Sequence, residues 1–568
     1  MRKAFLLSYF LIVCALKAQV VSNVYVDINN ISAAVNSTGE LFNLFGYSAG
    51  FEFPKNSGNH TIYSAGFIIG GQDVNNGSVK VQKIVYSDNN FQNGPITDPS
   101  LYVSEVPQWE LIWTVSRAEI NNHIQNFNNV GYIIPWMINN WPAHGDTTKG
   151  QNFYLAPFTD VDNNGLYEPA NGDYPLIKGD FAAYIIQNDE TDSNIMSHNS
   201  IGIELHTMVY AFDCINEAVL NNTVFVEYKV FNRRFVALEN TYLGVFADLD
   251  IGCPDNDYIG ADVEHGFVYA YNGTNNDNAG CGFAMPTYGQ DLPVQGIVFL
   301  NGAKLDNDGI DNPLTTNIAD AILFNGIPYN ALGKGFGDGI IDNEHIGLYS
   351  SKYLPNIFPS TPLQYYLSLQ NIHPNFTTMM YGNTTHECMY MFPGDSDPLY
   401  WGTFGVNPGF DWWESTYNNT SGDRRIMASS GPFTFTPNDT QQLNLAFTVA
   451  KSENGNLAAL PVLKNYASQL HNMYNSGYIC PQPSNIFENK TVIEFSVFPN
   501  PSDDQFTITT DIDEAVVFDL FDVSGRLVES KRFYKIIEYN TNNLDSGIYI
   551  VRLIHKSSVG TKSIIINR

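Results

Sequence analysis

Residues 221 to 232, "NNTVFVEYKVFN", put Val224, Val226, Tyr228 and Val230 on one side of an extended chain and Phe225, Glu227 and Lys229 on the other. Strand side chains alternate with period two, so the run fits a pleated sheet and not a helix. "IELHTMVYAF" (203 to 212) and "FTFTPNDTQQLNLAFTVA" (433 to 450) obey the same rule, the second broken by a Pro-Asn-Asp turn. Asn and Gly crowd the segments between them, as the tight connections of antiparallel sheets require. The expected fold class is therefore mainly β, with a main region rich in antiparallel β-sandwich and built in one or two lobes. One helix is predicted over 456 to 477. There Leu457, Leu460, Leu463, Tyr466, Leu470 and Tyr474 recur at three- or four-residue steps, Pro461 falls near the start and Gly477 offers a C-cap.

At 568 residues the chain is too long for one core, and about two to four domains are expected. Its 58 Asp and Glu against 28 Lys and Arg give a formal charge of -30. Such a charge repels nucleic-acid phosphates and anionic membranes, so no nucleic acid is expected as a partner. The N-terminus has a basic pair, Arg2 and Lys3, an apolar run from Ala4 to Leu16, and small residues ending near Ala18 or Gln19. That is the pattern of a secretory signal peptide over 1–19. No other stretch is apolar for long enough to cross a bilayer, so no transmembrane span is expected once the signal is removed. Without Cys14, Cys214, Cys253, Cys281, Cys388 and Cys480 remain. One or two disulfides are expected in an oxidising compartment, with at least one thiol left over.

"CPQPSNIFENK" (480 to 490) reads as a linker between a main region, 20–479, and a tail, 491–568. The tail holds four β runs, "FSVFPNPSDDQFTI", "AVVFDLFDVSGRLV", "LDSGIYIVRL" and "GTKSIIINR", of the size of a small immunoglobulin-like β-sandwich. Three of its motifs carry a resemblance. Phe498, Pro499, Asn500 and Pro501 match an F/Y-P-N-P opening; Asp522, Gly525 and Arg526 match a D-x-x-G-R-x turn; Gly547, Ile548 and Tyr549 lie in an L-x-x-G-I-Y-x-V-R-L strand. Together they resemble the type A C-terminal sorting domain of the type IX secretion system of Bacteroidota. The resemblance implies a type IX translocon as partner and a secreted or outer-surface location. It also implies removal of the tail, with the rest anchored to surface polysaccharide or released. The main region has a weaker likeness to Bacteroidota secreted proteins with the same tail, through stretches such as "APFTDVDNNGLYEPANGDYP", "GVFADLDIG" and "GDRRIMASSGPFTFTPNDTQ". No activity comes with it.

Calcium is the expected structural cofactor, because hard oxygen ligands recur on turns. In "FTDVDNNGLYEP", Asp160, Asp162 and Asn164 take calcium-loop positions 1, 3 and 5, Gly165 supplies the tight turn, the Leu166 carbonyl takes position 7 and Glu168 position 9. Position 12 is Asn171, where the helix-loop-helix motif uses a bidentate Glu. Asp248 and Asp250 in "DLDIGCPDNDYIGAD", Asp306, Asp308 and Asp311 in "LDNDGIDN", and Asp338 and Asp342 in "FGDGIIDNE" are further candidate ligands. Solvated Asx turns would account for the same residues locally.

No catalytic motif survives its context test. Gly46 to Gly50 spells G-x-S-x-G, but "FEFPKNSGNH" follows, and its Pro54 and Gly58 do not make the helix that a nucleophile elbow needs. His144 and His206 stand alone, without H-E-x-x-H spacing. Of the tryptophans, those of "DWWES" (411 to 415) are expected to include an outward one, since neighbours on a strand face opposite ways. The sequence thus points to a secreted binding or structural module with calcium-stabilised loops. The alternative is a secreted polysaccharide-active hydrolase using a carboxylate pair that the sequence does not nominate, with a peptidase third.

Overall fold

The computed structural model describes residues 23–478 and 493–567 apart from 45–47, 87, 192–198, 235, 279–280, 282–285, 316, 319–332, 355–357, 418, 453–454, 456, 523–526 and 556–557. The expected signal peptide and the 480–490 linker lie outside the described residues, as do Gly46, Cys480, Gly525 and Arg526. The chain divides into two compact units, Met1–Cys480 and Pro481–Arg568.

In the main unit the alternating runs become long antiparallel strands. Gln92–Asn93, Phe181–Asn188, Ile203–Ala211, Thr223–Asn232, Thr440–Lys451, Pro293–Asn301, Phe267–Asn272 and Asp257–Asp262 lie side by side in that order, with Trp113–Ser116 also pairing Phe181–Asn188 in this nine-stranded sheet. A six-stranded sheet has the order Ser350–Tyr353, Arg425–Phe435, Leu238–Asp248, Ser64–Asp73, Val79–Val85 and Asp88–Asn89. Val224, Val226, Tyr228 and Val230 from the first sheet and Phe67, Ile69, Val245 and Ala428 from the second share one buried core. The period-two pattern thus supplies the filling of a sandwich.

Both outer faces are covered as well. Phe225 and Glu227, opposite the core residues on their strand, are buried because the helix Leu460–Ser476 lies over that side. The helix sits close because small residues face it: a Cβ on Gly296 would come within 2.9 Å of Leu463 Cδ1, and Ala446 and Ala450 belong to the same cluster. Leu460, Leu463 and Leu470 are buried there, each contributing roughly 1.5–3 kcal/mol. Pro461 falls in its first turn, where no internal N–H is lost, while Leu457 lies in a preceding 3₁₀ turn and is exposed. On the far side, the helix Pro362–Ser368 lays Tyr365 and Tyr366 against Ile68, Phe246 and Met427 of the six-stranded sheet. The layers run helix, sheet, sheet, helix.

The tail unit holds seven strands among the described residues. Phe495–Phe498, Gln505–Thr510 and Ile536–Asn540 form one sheet; Leu527–Phe533, Val516–Asp522, Gly547–His555 and Ser558–Ile566 form the other. Phe506, Ile508, Phe518, Leu520, Val551 and Leu553 fill the space between them. No helix of the described chain is long and apolar enough to cross a membrane.

Candidate functional site

Several strands of the six-stranded sheet begin or finish together, and carboxylates gather where they do. Leu238–Asp248 finishes on Asp248, which is opposite Arg425 on one neighbour and Ser64 on the other. Asp250 follows two residues on, and Asp423 precedes Arg425 by two. One oxygen from each of Asp248, Asp250 and Asp423 lies within 4.8 Å of the other two; among the described residues this is the one acidic or metal-ligating trio so close. They line a cavity of about 400 Å³ together with Glu40, Tyr63, Tyr86 and Arg425.

Asp248 is 4% exposed. Its Oδ2 accepts from the Tyr86 hydroxyl at 2.6 Å, Arg425 Nε donates to that hydroxyl at 2.7 Å, and Arg425 Nη2 donates to Asp423 Oδ2 at 2.6 Å. The Oδ1 atoms of all three aspartates have no hydrogen-bond partner. A buried acceptor left so costs roughly 1–3 kcal/mol, and like charges in a low dielectric add to it. Burial lifts the Asp248 carboxyl to about 6, helped by Asp423 and opposed by Tyr86 and Arg425. Burial, then the charges of Asp248 and Asp423, raise Asp250 well above the usual carboxylate range. Burial also raises Glu40, against a hydrogen bond from Ser64. A divalent cation would relieve the three aspartates at once.

The scaffold holds this arrangement stiffly. Tyr86 has φ 51° in the tight turn joining Val79–Val85 to Asp88–Asn89. Left-handed backbone suits Asn or Gly; a tyrosine there is an outlier, and its hydroxyl is the bridge between Asp248 and Arg425. Behind Asp250, Gly252 has φ 71°, and a Cβ on it would meet Asp277 Oδ2 at 2.1 Å. Buried Asp277 accepts from Cys253 N, buried Asp257 accepts from Ile251 N, and a Cys253–Cys281 disulfide closes the loop. Beside Asp423, buried Arg424 pairs with buried Glu414 at 2.9 Å. Cys214 is also disulfide-bonded, and among the described residues buried Cys388 is the free thiol.

Of the aspartates expected from sequence, Asp248 and Asp250 meet here. Asp423, Tyr86, Arg425 and Glu40 were not anticipated. The Asp160 loop also closes, but on itself: Asp160 accepts from Asn164 N and Gly165 N, Asp162 accepts from Asn164 N, and the Asn164 amide donates to Asp162 and Glu168. Leu166 is exposed. Buried Asp173, two residues beyond the expected twelfth position, ties the loop by accepting from Val161 N and Glu168 N. The other two loops interlock. Asp342 accepts from Asp308 N and Gly309 N, and Asp311 accepts from Gly337 N and Gly339 N. Asp338 caps its own turn through Ile340 N, while Asp306 turns away to Thr434.

The isolated histidines are structural. His206 bridges Glu204 and Tyr184 in the nine-stranded sheet; His144 stacks on Phe153 and accepts from Tyr167 N. The outward tryptophan is Trp136, 59% exposed, whereas Trp412 is buried and Trp413 half-buried over Gly394. The expectation for "DWWES" fails because 411–417 is not a strand: a short 3₁₀ turn, Glu414–Thr416, replaces the pleat that would send alternate rings outward.

In the tail, the Asn500 amide donates to Ser563 O at 2.8 Å and its Oδ1 accepts from Ile565 N at 2.9 Å. Pro499 and Pro501 flank it, and Phe498 is exposed. Asp522 ends one strand and Gly547 begins its neighbour in the sheet, with Ile548 outward and Tyr549 in the core.

A search of curated proteins returned no match. A solved polysaccharide lyase aligns over 73% of this chain and 37% of its own length, at 8% identity and a TM-score of 0.18, too loose a superposition to carry an argument. The chain thus spans little more than a third of that lyase. Residues 496–567 match the secretion system C-terminal sorting domain. The motifs at Phe498, Asp522 and Gly547 lie inside that match, and this protein is therefore a cargo of the type IX secretion system, delivered to the cell surface or the extracellular space.

Proposed function

We propose that the main region is a binding module whose recognition cavity is organised by a calcium ion held by Asp248, Asp250 and Asp423. The observation that carries this reading is the set of unpartnered Oδ1 atoms, one of them on a residue only 4% exposed. All-oxygen ligands on a loop and two strand ends suit calcium, which accepts flexible shells. The same ion is proposed for the Asp160–Glu168 loop and the Asp308–Asp342 pair, where it would use lone pairs that the backbone N–H groups leave. After export, attachment to surface polysaccharide in place of the tail is the accompanying proposal.

A polysaccharide hydrolase is the second reading, favoured by one observation: a carboxyl lifted to about 6 suits a general acid. The third carboxylate favours the cation instead. One oxygen from each of three aspartates within 4.8 Å of one another suits a shared ion, whereas a glycosidase needs a pair.

Calorimetric titration of the purified protein with calcium tests the proposal. Binding that Asp423→Asn weakens by a hundredfold or more supports it; binding unchanged in that variant refutes this site. A screen on neutral and acidic polysaccharides would favour the second reading if it found turnover that Asp248→Asn abolishes. For the export partner, deletion of 491–568 should leave the protein in the periplasm.

A further inference from the structure

We infer that the cavity takes a neutral sugar, which binds by placing two adjacent hydroxyls on the calcium ion and one ring face against Tyr63; this rests on the calcium reading above. The coordination count leads there. Asp248 Oδ2 is taken by Tyr86 and Asp423 Oδ2 by Arg425, so each offers the ion its Oδ1. With Asp250 Oδ1, the chain supplies at least three oxygens, while calcium takes about six to eight. Up to about three to five positions remain for water or a ligand. A cavity of about 400 Å³ lies within the roughly 300–1,000 Å³ of small-molecule sites and is far larger than an ion needs.

Charge then selects the ligand. Calcium and Arg425 together cancel the three aspartates, and Glu40 lines the same cavity. A loaded cavity therefore has no surplus positive charge to draw a phosphate, sulfate or uronate, and the protein's charge of -30 opposes all three. Uncharged oxygen donors are left, and vicinal hydroxyls are the pair that reaches one ion without strain. The walls agree. Tyr63 and Tyr86 both line the cavity and are half-buried, with ring centroids 6.3 Å apart at 61°; Tyr86 packs on Phe246, which leaves Tyr63 to give the apolar surface beside the carboxylates. Pyranose rings have that same division, C–H on a face and hydroxyl at the edge. Tyr86 is fixed by its two hydrogen bonds, and Tyr63 N donates to Asp248 O at 2.9 Å. The rings and the ligand oxygens thus share one rigid frame, which lowers the entropy lost on binding.

The test applies the full secreted protein to agarose bearing mannose, galactose, fucose or glucose, with calcium and with EDTA, beside polygalacturonate as an anionic probe. Retention on at least one neutral sugar in calcium and release by EDTA is the expected result. Tyr63→Ala should keep calcium affinity by calorimetry and bind that sugar about tenfold more weakly. Calcium binding with no retention on any neutral sugar overturns this inference and leaves the calcium site standing. Failure to bind calcium removes both. Retention that persists in EDTA, or preference for polygalacturonate, also overturns it.

Discussion

Glu204 in the nine-stranded sheet and Asp248 in the six-stranded one are both almost sealed from solvent, yet only Glu204 has both oxygens engaged. Its Oε1 accepts from Arg233 at 2.9 Å and meets His206 Nε2 at the same distance, and its Oε2 accepts from Ile96 N at 3.0 Å. Burial opposes its ionisation, but His206 and Arg233 hold it below the usual range. Burial holds His206 itself low, so Arg233 carries the compensating charge. Asp248 has one cation, Arg425, shared with a second carboxylate and a phenol, and retains an idle oxygen. The contrast separates a buried charge that the fold has completed from one left for something the chain does not supply.

That difference can be broken by mutation. The largest effect is expected at the completed site: Glu204→Ala leaves Arg233 without its carboxylate and should cost about 3–5 kcal/mol in urea unfolding. Its pH sign is also fixed. Because the folded value is depressed, the Glu204 contribution is present above the unfolded value of about 4.3 and lost as pH falls through the folded one, and the variant should lack that part of the acid loss. A cost under about 1 kcal/mol would remove the contrast. Next, opening the Cys253–Cys281 bridge with paired serines should cost about 2–4 kcal/mol and weaken calcium about tenfold by calorimetry, since Asp250 lies just before the bridged Cys253. Unchanged affinity would mean that the loop needs no staple. Smallest is Asp248→Asn measured in EDTA, which removes a partly compensated buried charge and should raise stability by about 0.5–2 kcal/mol, while calcium shifts the melt less than it does in the parent protein. A loss of stability in EDTA would show that Asp248 is structural after all.

Much of the fold was readable because its signals are local. The alternation over 221–232 and 433–450, the helical period ending at Gly477 and the tail motifs each lie within about a dozen residues. The site was half readable for the same reason. Asp248 and Asp250 share a turn and were found, but Asp423 joins them through the pairing of Asp248 with Arg425, a register that periodicity does not encode. Its faint trace was an acid set just before Arg424 and Arg425 at the head of a strand. Tyr86 was hidden because a tyrosine in a tight turn violates local preference, and such violations become informative only beside what they touch. The Asp160 loop shows the converse: its spacing was plain in sequence, and the structure spends those carboxylates on the loop's own N–H groups.

Asn500 has a consequence for export. It lies in the opening motif of the tail, but its amide is fastened to Ser563 and Ile565 in the strand Ser558–Ile566. The motif and the strand that shapes it are therefore one structural unit, although about sixty residues of sequence separate them. A variant without that strand would keep the written motif and lose the partner that holds it in shape.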